Sequence, residues 1–469
     1  MKSFKTLTHS WKTPRAIHPP KSSQIPLPSR TRRHSLHSCA ITPGQGPAQA
    51  YRDQYHWIDG AESLEKYTRG GYHPVMIGDV LNKRYQIVDK LGHGGYSTVW
   101  LARDTQQELY VALKIGISDS RLHETAILKR LSDLKPRTSS DPVASSGYDA
   151  IPRLLDEFTV RGPNGTHPCY ATTPAQCSLS DASRHSLFRL EVARALSVKL
   201  VSAVAYMHSQ GYIHGDIHLG NAMLKSPSSL NSLSVEQLYE KYGRPETVAV
   251  SRVDGAPLPH NIPEKAVLPL YLGKKAHKIS LPETRLILVD FGEAFAPASS
   301  TRPCEDCRSP LAARPPEARF EPLSPLSFSA DIWTLAITMW KLVAMKPLFS
   351  DEFIPPDAVV AQQVDVLGPL PPRWWQLWEQ RHQFFDEDGN PTQGEYASPP
   401  LGEAFDAWVQ KYRNEFNVGV FSQGEKTAFL QLLRQMLSFD PKDRPTAAEV
   451  LESDWVVEWA RPDFERSIK

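Results

Sequence analysis

Apolar positions change their spacing partway along the chain. From about Tyr85 they fall in short runs, RYQIVDKLG, STVWLARD and YVALKIG, rich in Val, Tyr, Leu and Ile and separated by turn residues. Runs of this kind predict the strands of a small antiparallel lobe. The segment from Arg121 to Leu131 carries apolar Leu122, Ile127, Leu128 and Leu131, which predicts a helix packed on that sheet. A Ser/Pro/Gly stretch, KPRTSSDPVASSG, follows it and reads as a loop. Beyond Ser186 helical periodicity takes over: FRLEVARALSVKLVSAVAYMHSQG closes on Gly211, a residue type suited to the position just past a helix end. ADIWTLAITMWKLVAM, EKTAFLQLLRQMLSF and TAAEVLESDW read as later helices. Strands first and helices afterwards predict an α+β architecture of two lobes, the small one over residues 85–174 and the large one over 175–459, with a tail at 460–469.

Composition sets the boundaries of this core. The first 52 residues contain nine Lys or Arg and no Asp or Glu, with many Ser and Pro, a mixture that cannot build a packed core. Three readings of this segment stand side by side: a mitochondrial presequence with Phe4, Leu7 and Trp11 on one helical face, a nuclear-targeting basic patch, and a plain basic tail. Over the whole chain the formal net charge is +1, so no global field draws it to nucleic acid or membrane. A monomer without direct nucleic-acid contact is expected. No apolar run approaches the ~18 residues of a membrane span. Five cysteines, of which only Cys304 and Cys307 form a CxxC pair, fit a reducing compartment better than a disulfide framework.

Several motifs carry chemistry. LGHGGYSTVW sets Gly92 and Gly94 in a turn between two strands, where small residues let backbone amides approach a triphosphate; Ser97 stands where a third glycine would. VALK ends in Lys114, and Glu124 in the following helix can pair with it. HGDIHLGN supplies Asp216 and Asn221, and LILVDFGEA supplies Asp290, Phe291 and Gly292. Asn221 and Asp290 are hard oxygen donors suited to Mg²⁺ on phosphate oxygens, which leaves Asp216 to take the proton of an attacking hydroxyl. Each motif alone has a bland reading as a turn or a strand end. Their ordered series points to ATP-dependent phosphoryl transfer.

RPPE with Glu317, ADIW with Asp331 and DPKDRPTAAEVL with Arg444 then make the chain resemble a eukaryotic protein kinase from about Tyr85 to Trp459. It resembles the SR-protein kinases in particular, especially fungal ones, in the segment SLEKYTRGGYHPVMIGDVLNKRYQIVDKLGHGGYSTVWLARD, in a long insertion at about 225–285 containing LSVEQLYEKYG, and in VAQQVDVLGPLPPRWW. The resemblance implies a bilobal protein-kinase-like fold preceded by a family-like lead-in at 53–84. It implies a nucleotide lined by Leu91, Gly92, Gly94, Val99, Ala112, Lys114 and Glu124, and a Glu317–Arg444 pairing. It also implies ATP and Mg²⁺ as cofactors, serine phosphorylation of Arg/Ser-rich or basic proteins, and a cytoplasmic or nuclear setting.

Two departures bear on activity. Gly215 stands where many protein kinases carry an arginine that grips a phosphorylated loop, so activity is expected to be independent of phosphate on Ser299, Ser300, Thr301 or Ser309. His218 replaces a lysine, exchanging a permanent cation for a mostly neutral imidazole, which slows chemistry without abolishing it. A weakly active nucleotide-binding scaffold therefore stays open as an alternative. So does a small-molecule kinase of the aminoglycoside or choline type, which shares the H-G-D-x-x-x-x-N string. Between Asp351 and Asp406 eleven Asp or Glu face two arginines, Arg373 and Arg381, a field suited to basic peptides. Trp374, Trp375 and Trp378 read as packing residues, and Thr172 as a residue behind the adenine.

Overall fold

The computed structural model describes residues 54–120, 123–133, 142–352, 354–392 and 397–469. The basic segment 1–52, Cys39, Arg121 and Leu122 lie outside these residues.

Alternating side chains build the small lobe. Strands β1 (Val80–Leu81), β2 (Tyr85–Gly94), β3 (Ser97–Asp104), β4 (Leu109–Gly116), β5 (Leu154–Gly162) and β6 (Gly165–Thr172) form one antiparallel sheet in the order β1-β2-β3-β4-β6-β5. Period-two alternation sends Tyr85, Ile87, Trp100, Ala102, Val111 and Leu113 to one face, where they close a core. Val88, Leu101 and Tyr110 point to the other face and are equally buried, so that face needs a cover. Helix α1 (His123–Asp133) turns Ile127, Leu128 and Leu131 inward.

The insertion supplies the cover. Its helix α5 (Val235–Tyr242) starts at a capping box made by Ser234 and Gln237 and stops at Gly243, whose φ of 91° suits a residue without Cβ. Leu230, Leu238, Leu270 and Leu272 pack on Val88, Leu101 and Tyr110, and the Tyr239 hydroxyl donates to the Val88 carbonyl at 2.8 Å. Further on, the hairpin β9 (Thr247–Ala249) and β10 (Lys265–Val267) meets the lead-in segment. Tyr55, Leu64, Tyr67 and Tyr72 share a second core with Val250, Ile262 and Ala266. Inside it Glu62 and Lys90 form a buried ion pair that the Tyr67 hydroxyl also joins.

In the large lobe, strands β7 (Ala175–Ser178), β8 (Ala222–Lys225) and β11 (Leu286–Leu288) form a small sheet beside the loops that carry Asp216 and Asp290. Helix α2 (Pro142–Asp149) precedes β5, and α3 (Leu179–Ser183) precedes α4 (Leu190–Ser209), which is apolar nearly all round and sits at the centre. Around it lie α6 (Glu317–Phe320), α7 (Phe328–Val343), α8 (Pro356–Leu367), α9 (Pro372–Leu377), α10 (Leu401–Phe405), α11 (Lys411–Glu415), α12 (Gln423–Met436), α13 (Ala447–Leu451) and α14 (Arg461–Ser467). Trp374 and Trp378 are buried in this lobe.

Two expectations are corrected. The stretch expected as a loop is helical from Pro142, and Gly147 lets α2 approach the Ser202 carbonyl too closely for any side chain. Residues 460–469 are not a free tail: α14 buries Phe464 on α4, and Asp463 accepts from Arg194 at 3.0 Å.

A histidine pair makes the small lobe acid-sensitive. His73 and His167 lie with ring centroids 4.9 Å apart, and His73 Nδ1 and His167 Nε2 are buried without hydrogen-bond partners. Burial, and then the neighbouring ring, lowers the His73 pKa to about 4; burial also lowers that of His167. As pH falls below the ordinary histidine value the unfolded chain takes up protons first, so stability is lost from about pH 6.5 down towards 4. Thermal unfolding at pH 7 and pH 5 should show a drop in midpoint that is smaller in His73→Gln; an equal drop would assign the sensitivity elsewhere.

Candidate active site

The glycine hairpin forms the roof. Gly92 pairs with Val99 and Gly94 with Ser97, and a Cβ at Gly92 or Gly94 would meet nothing within 4 Å. These glycines are needed for the open space they leave beneath the strand, since neither has a positive φ. Tyr72 of the lead-in donates its hydroxyl to the Gly94 carbonyl at 2.6 Å, a contact joining residues too far apart in sequence to be read from the motif. Leu91 leans on the outer cluster made with the insertion.

On the next strand, Lys114 lies opposite Val99 on one side and Tyr170 on the other, and Ala112 lies opposite Thr172. The Lys114 ammonium donates to both Glu124 oxygens, at 2.9 and 2.8 Å, and to Asp290 Oδ1 at 3.1 Å. Helix α1 starts at His123, so Glu124 sits in its first turn and faces β4 despite the short spacing. Burial disfavours the Lys114 charge, but Tyr170, Asp290 and Glu124 together hold the ammonium well above the ordinary lysine value. Lys114 in turn lowers the Asp290 carboxyl below its ordinary value. Sequence reasoning missed Tyr170, which only strand register brings to Lys114; its ring centroid is 5.7 Å from Nζ.

Asp290 adopts the left-handed conformation, φ 66°, uncommon for a residue with a side chain. That turn lets the Phe291 N–H donate to Glu124 Oε1 at 3.0 Å and sets the Phe291 ring 5.4 Å from His214.

Asp331 fixes the loop carrying Asp216. Its buried carboxylate accepts from the backbone N–H of His214 at 2.8 Å and of Gly215 at 2.9 Å, and contacts His208 Nε2 at 2.9 Å. Burial pushes the Asp331 carboxyl up, but His208 and these amides bring it below the usual value. Asn221 donates its amide N–H to the Asp216 carbonyl at 2.9 Å and to Oδ2 at 3.2 Å. Asp216 Oδ1 is buried and has no hydrogen-bond partner.

His218 approaches the same carboxylate, Nε2 to Oδ2 at 3.4 Å. Its Nδ1 accepts from the Gly220 N–H at 3.0 Å, so in the neutral ring the proton sits on Nε2 and points at Asp216. A Cβ on Gly220 would lie 2.7 Å from the imidazole, which makes Gly220 a condition for this pose.

Of the residues expected to be structural, Phe291 and Asp331 support the site directly, while Glu317 and Arg444 lie apart from it. Arg444 and Glu317 form a buried, two-pronged pair with both distances 2.7 Å, and the guanidinium stacks 4.9 Å above Trp333. Ser309 is buried and donates to the Gly215 carbonyl at 3.2 Å, so its hydroxyl is engaged within the fold. Cys304 and Cys307 are buried thiols, and burial pushes Cys304 up to about 12.

Two oxygen donors fit a divalent cation. Asn221 commits its amide nitrogen to Asp216, which turns its oxygen away, and the exposed Asp290 carboxylate follows the strand paired with β8. The Val289 N–H donates to the Asn221 carbonyl at 2.8 Å, so the two donors are held on adjoining backbone.

Comparison with known proteins agrees with this geometry. The protein kinase domain family matches residues 275–456. A serine/threonine protein kinase of Aspergillus fumigatus is 26% identical over 408 residues, covering 84% of this chain and 90% of that one. Serine/threonine-protein kinase spk-1 of Caenorhabditis elegans is 41% identical over 167 residues, 35% of this chain and 16% of its own length. SRSF protein kinase 3 of Homo sapiens is 35% identical over 169 residues, 35% of this chain and 29% of its own. A solved kinase domain superposes with a TM-score of 0.52 at 19% identity, covering 82% of this chain and 98% of that one, a likeness of fold.

The buried pair gives a stability test. Arg444→Leu leaves the Glu317 carboxylate buried without its partner, at a cost of about 3–5 kcal/mol. Denaturant unfolding should report a loss of that order, and a loss below about 1 kcal/mol would mean the pair is replaceable by packing alone.

Proposed function

We propose that this chain, a serine/threonine protein kinase similar to SR-protein kinases, transfers the γ-phosphoryl of MgATP to serine in Arg/Ser-rich or basic proteins. The observation that carries this reading is the Lys114 ammonium bound at once to Glu124 and Asp290, close to the loop on which Asp216 keeps one carboxylate oxygen unpartnered. Lys114 holds phosphate oxygens under the glycine hairpin. Asp216 Oδ1 orients a substrate hydroxyl and accepts its proton. His218 steadies the Asp216 carboxylate through its Nε2 proton and offers less charge to the phosphoryl group than a lysine. Asn221 and Asp290 would hold magnesium, which when bound would neutralise charge on the phosphate oxygens.

The Lys114–Glu124–Asp290 contacts argue against a scaffold that only binds nucleotide, and the Glu317–Arg444 pair argues against a small-molecule kinase. Among the described residues no helix is long and apolar enough to cross a membrane, and a cytoplasmic or nuclear setting is what the family resemblance implies.

Basic substrates fit the acidic stretch, though less of it is free than the sequence count suggests. Asp357 pairs with Arg319, Asp406 with Lys426, and Asp351 accepts from the Ala312 N–H. Asp386, Glu387 and Asp388 form an exposed turn, which makes them the strongest docking candidates.

Labelled phosphate offered with Mg²⁺ to an Arg/Ser peptide, a generic basic protein and an aminoglycoside tests the reading. The Arg/Ser peptide should be the best acceptor. Asp216→Ala should abolish transfer, and His218→Lys should raise kcat or leave it unchanged. Transfer only to the aminoglycoside, or none at all, overturns the proposal. In the same assay, neutralising Asp386, Glu387 and Asp388 should raise the peptide KM at low salt and have little effect at high salt; a KM change independent of salt would remove that turn from docking.

A further inference from the structure

The backbone around Gly215 leaves no room for a loop arginine. Gly215 has φ 79°, and a Cβ there would lie 2.9 Å from the Glu293 carbonyl oxygen. That carbonyl already has a cationic partner from elsewhere in the chain. Arg302 NH1 donates to Glu293 O at 2.9 Å and lies 3.3 Å from Glu293 Oε2, with its guanidinium 4.6 Å from the Phe295 ring centroid. Both ends of the intervening stretch are tied down. Phe295 and Ile213 exchange backbone hydrogen bonds of 2.9 and 3.1 Å, and the Leu326 N–H donates to the Arg302 carbonyl at 2.7 Å.

We propose that Arg302 is a positioning residue that holds the segment between Asp290 and Glu317 in its working form from within, the cation coming from that segment and the anion from Glu293 directly after Gly292. The proposal deepens the kinase reading and rests on it for its kinetic consequence. In the usual arrangement the catalytic loop provides the cation and an added phosphate provides the anion; here both charges are encoded. The ring of Phe295 shields one face of the guanidinium, so the contact is more than a solvated surface pair. Ser299, Ser300 and Thr301 directly precede Arg302. A phosphate on Thr301 would compete with Glu293 for the guanidinium, so modification there weakens the anchor instead of creating one.

Hydrogen exchange and steady-state kinetics on the full chain test this together. In Arg302→Ala, amides of the peptide 293–302 should exchange roughly tenfold faster, and kcat for an Arg/Ser peptide should fall roughly tenfold, the scale of one lost charge-assisted bond at a partly exposed site. The KM for ATP should stay within about twofold, because Lys114, Asp216 and Asp290 are untouched. Arg302→Lys, which can still reach the Glu293 carbonyl, should restore most of both readouts. Should Arg302→Ala fail to fold, Arg302→Gln, which keeps an N–H donor and loses the charge, is read in its place. Unchanged exchange in the neutral variant, or an equal loss of kcat in Arg302→Lys, overturns the proposal. If the wild-type chain transfers no phosphate to any peptide, the functional reading fails, and the exchange measurement still decides whether Arg302 anchors the segment.

Discussion

One ammonium ion joins the two lobes. Lys114 on β4 touches Glu124 on α1 and Asp290 in the large lobe, so sheet, helix and the loop carrying Asp290 meet at one cation with two anionic partners. The Glu124 contact, shielded from solvent, is worth more than a surface pair, whereas the Asp290 contact ends on a solvent-open carboxylate and is worth less. The consequences propagate. Glu124 also accepts from the Phe291 amide, the Phe291 ring lies tilted against His214, and His214 hangs by its own amide from Asp331. The site thus has its upper anchor in Lys114 and its lower one in Asp331, with the loop carrying Asp216 between.

The rest of the small lobe supports this arrangement from outside. Its sheet is buried on both faces because the insertion covers Val88, Leu101 and Tyr110, while the lead-in segment shares a core with the insertion hairpin and reaches Gly94 through Tyr72. Three stretches far apart in sequence therefore fix the glycine hairpin. Beneath them, the encoded pair of Arg302 and Glu293 lies directly behind Gly215, so both the roof and the floor of the cleft are held by side-chain contacts already present in the unmodified chain.

Much of this was legible in the sequence where the signal is local. Strand alternation around Tyr85 and Lys114, the helical period from Leu190 to Ser209, and Gly211 past its end, with φ 80°, all follow from neighbouring residues. The motif residues Lys114, Glu124, Asp216, Asn221 and Asp290 could be named because each has a chemical role that few other residue types fill. What stayed hidden depends on long-range register. Tyr170 meets Lys114 only through the pairing of β4 with β6, and Tyr72 meets Gly94 only because the lead-in packs on the insertion. Gly220 carries no signal of its own in the sequence, and its role shows only once the His218 ring is placed against it. Helix α14 was read as a tail because a seven-residue segment starting Arg-Pro carries little periodicity, and Phe464 shows its purpose only beside α4.

The most direct test of the central claim is calorimetric titration of the chain with ATP in the presence and absence of magnesium, run on the wild type and on Asp290→Asn. A site organised by Lys114 and Asp290 around a metal-bound nucleotide should bind ATP much more tightly with magnesium, and the substitution should erase that difference. Equal affinity with and without the ion in the wild type, or a magnesium effect that survives Asp290→Asn intact, would contradict the account.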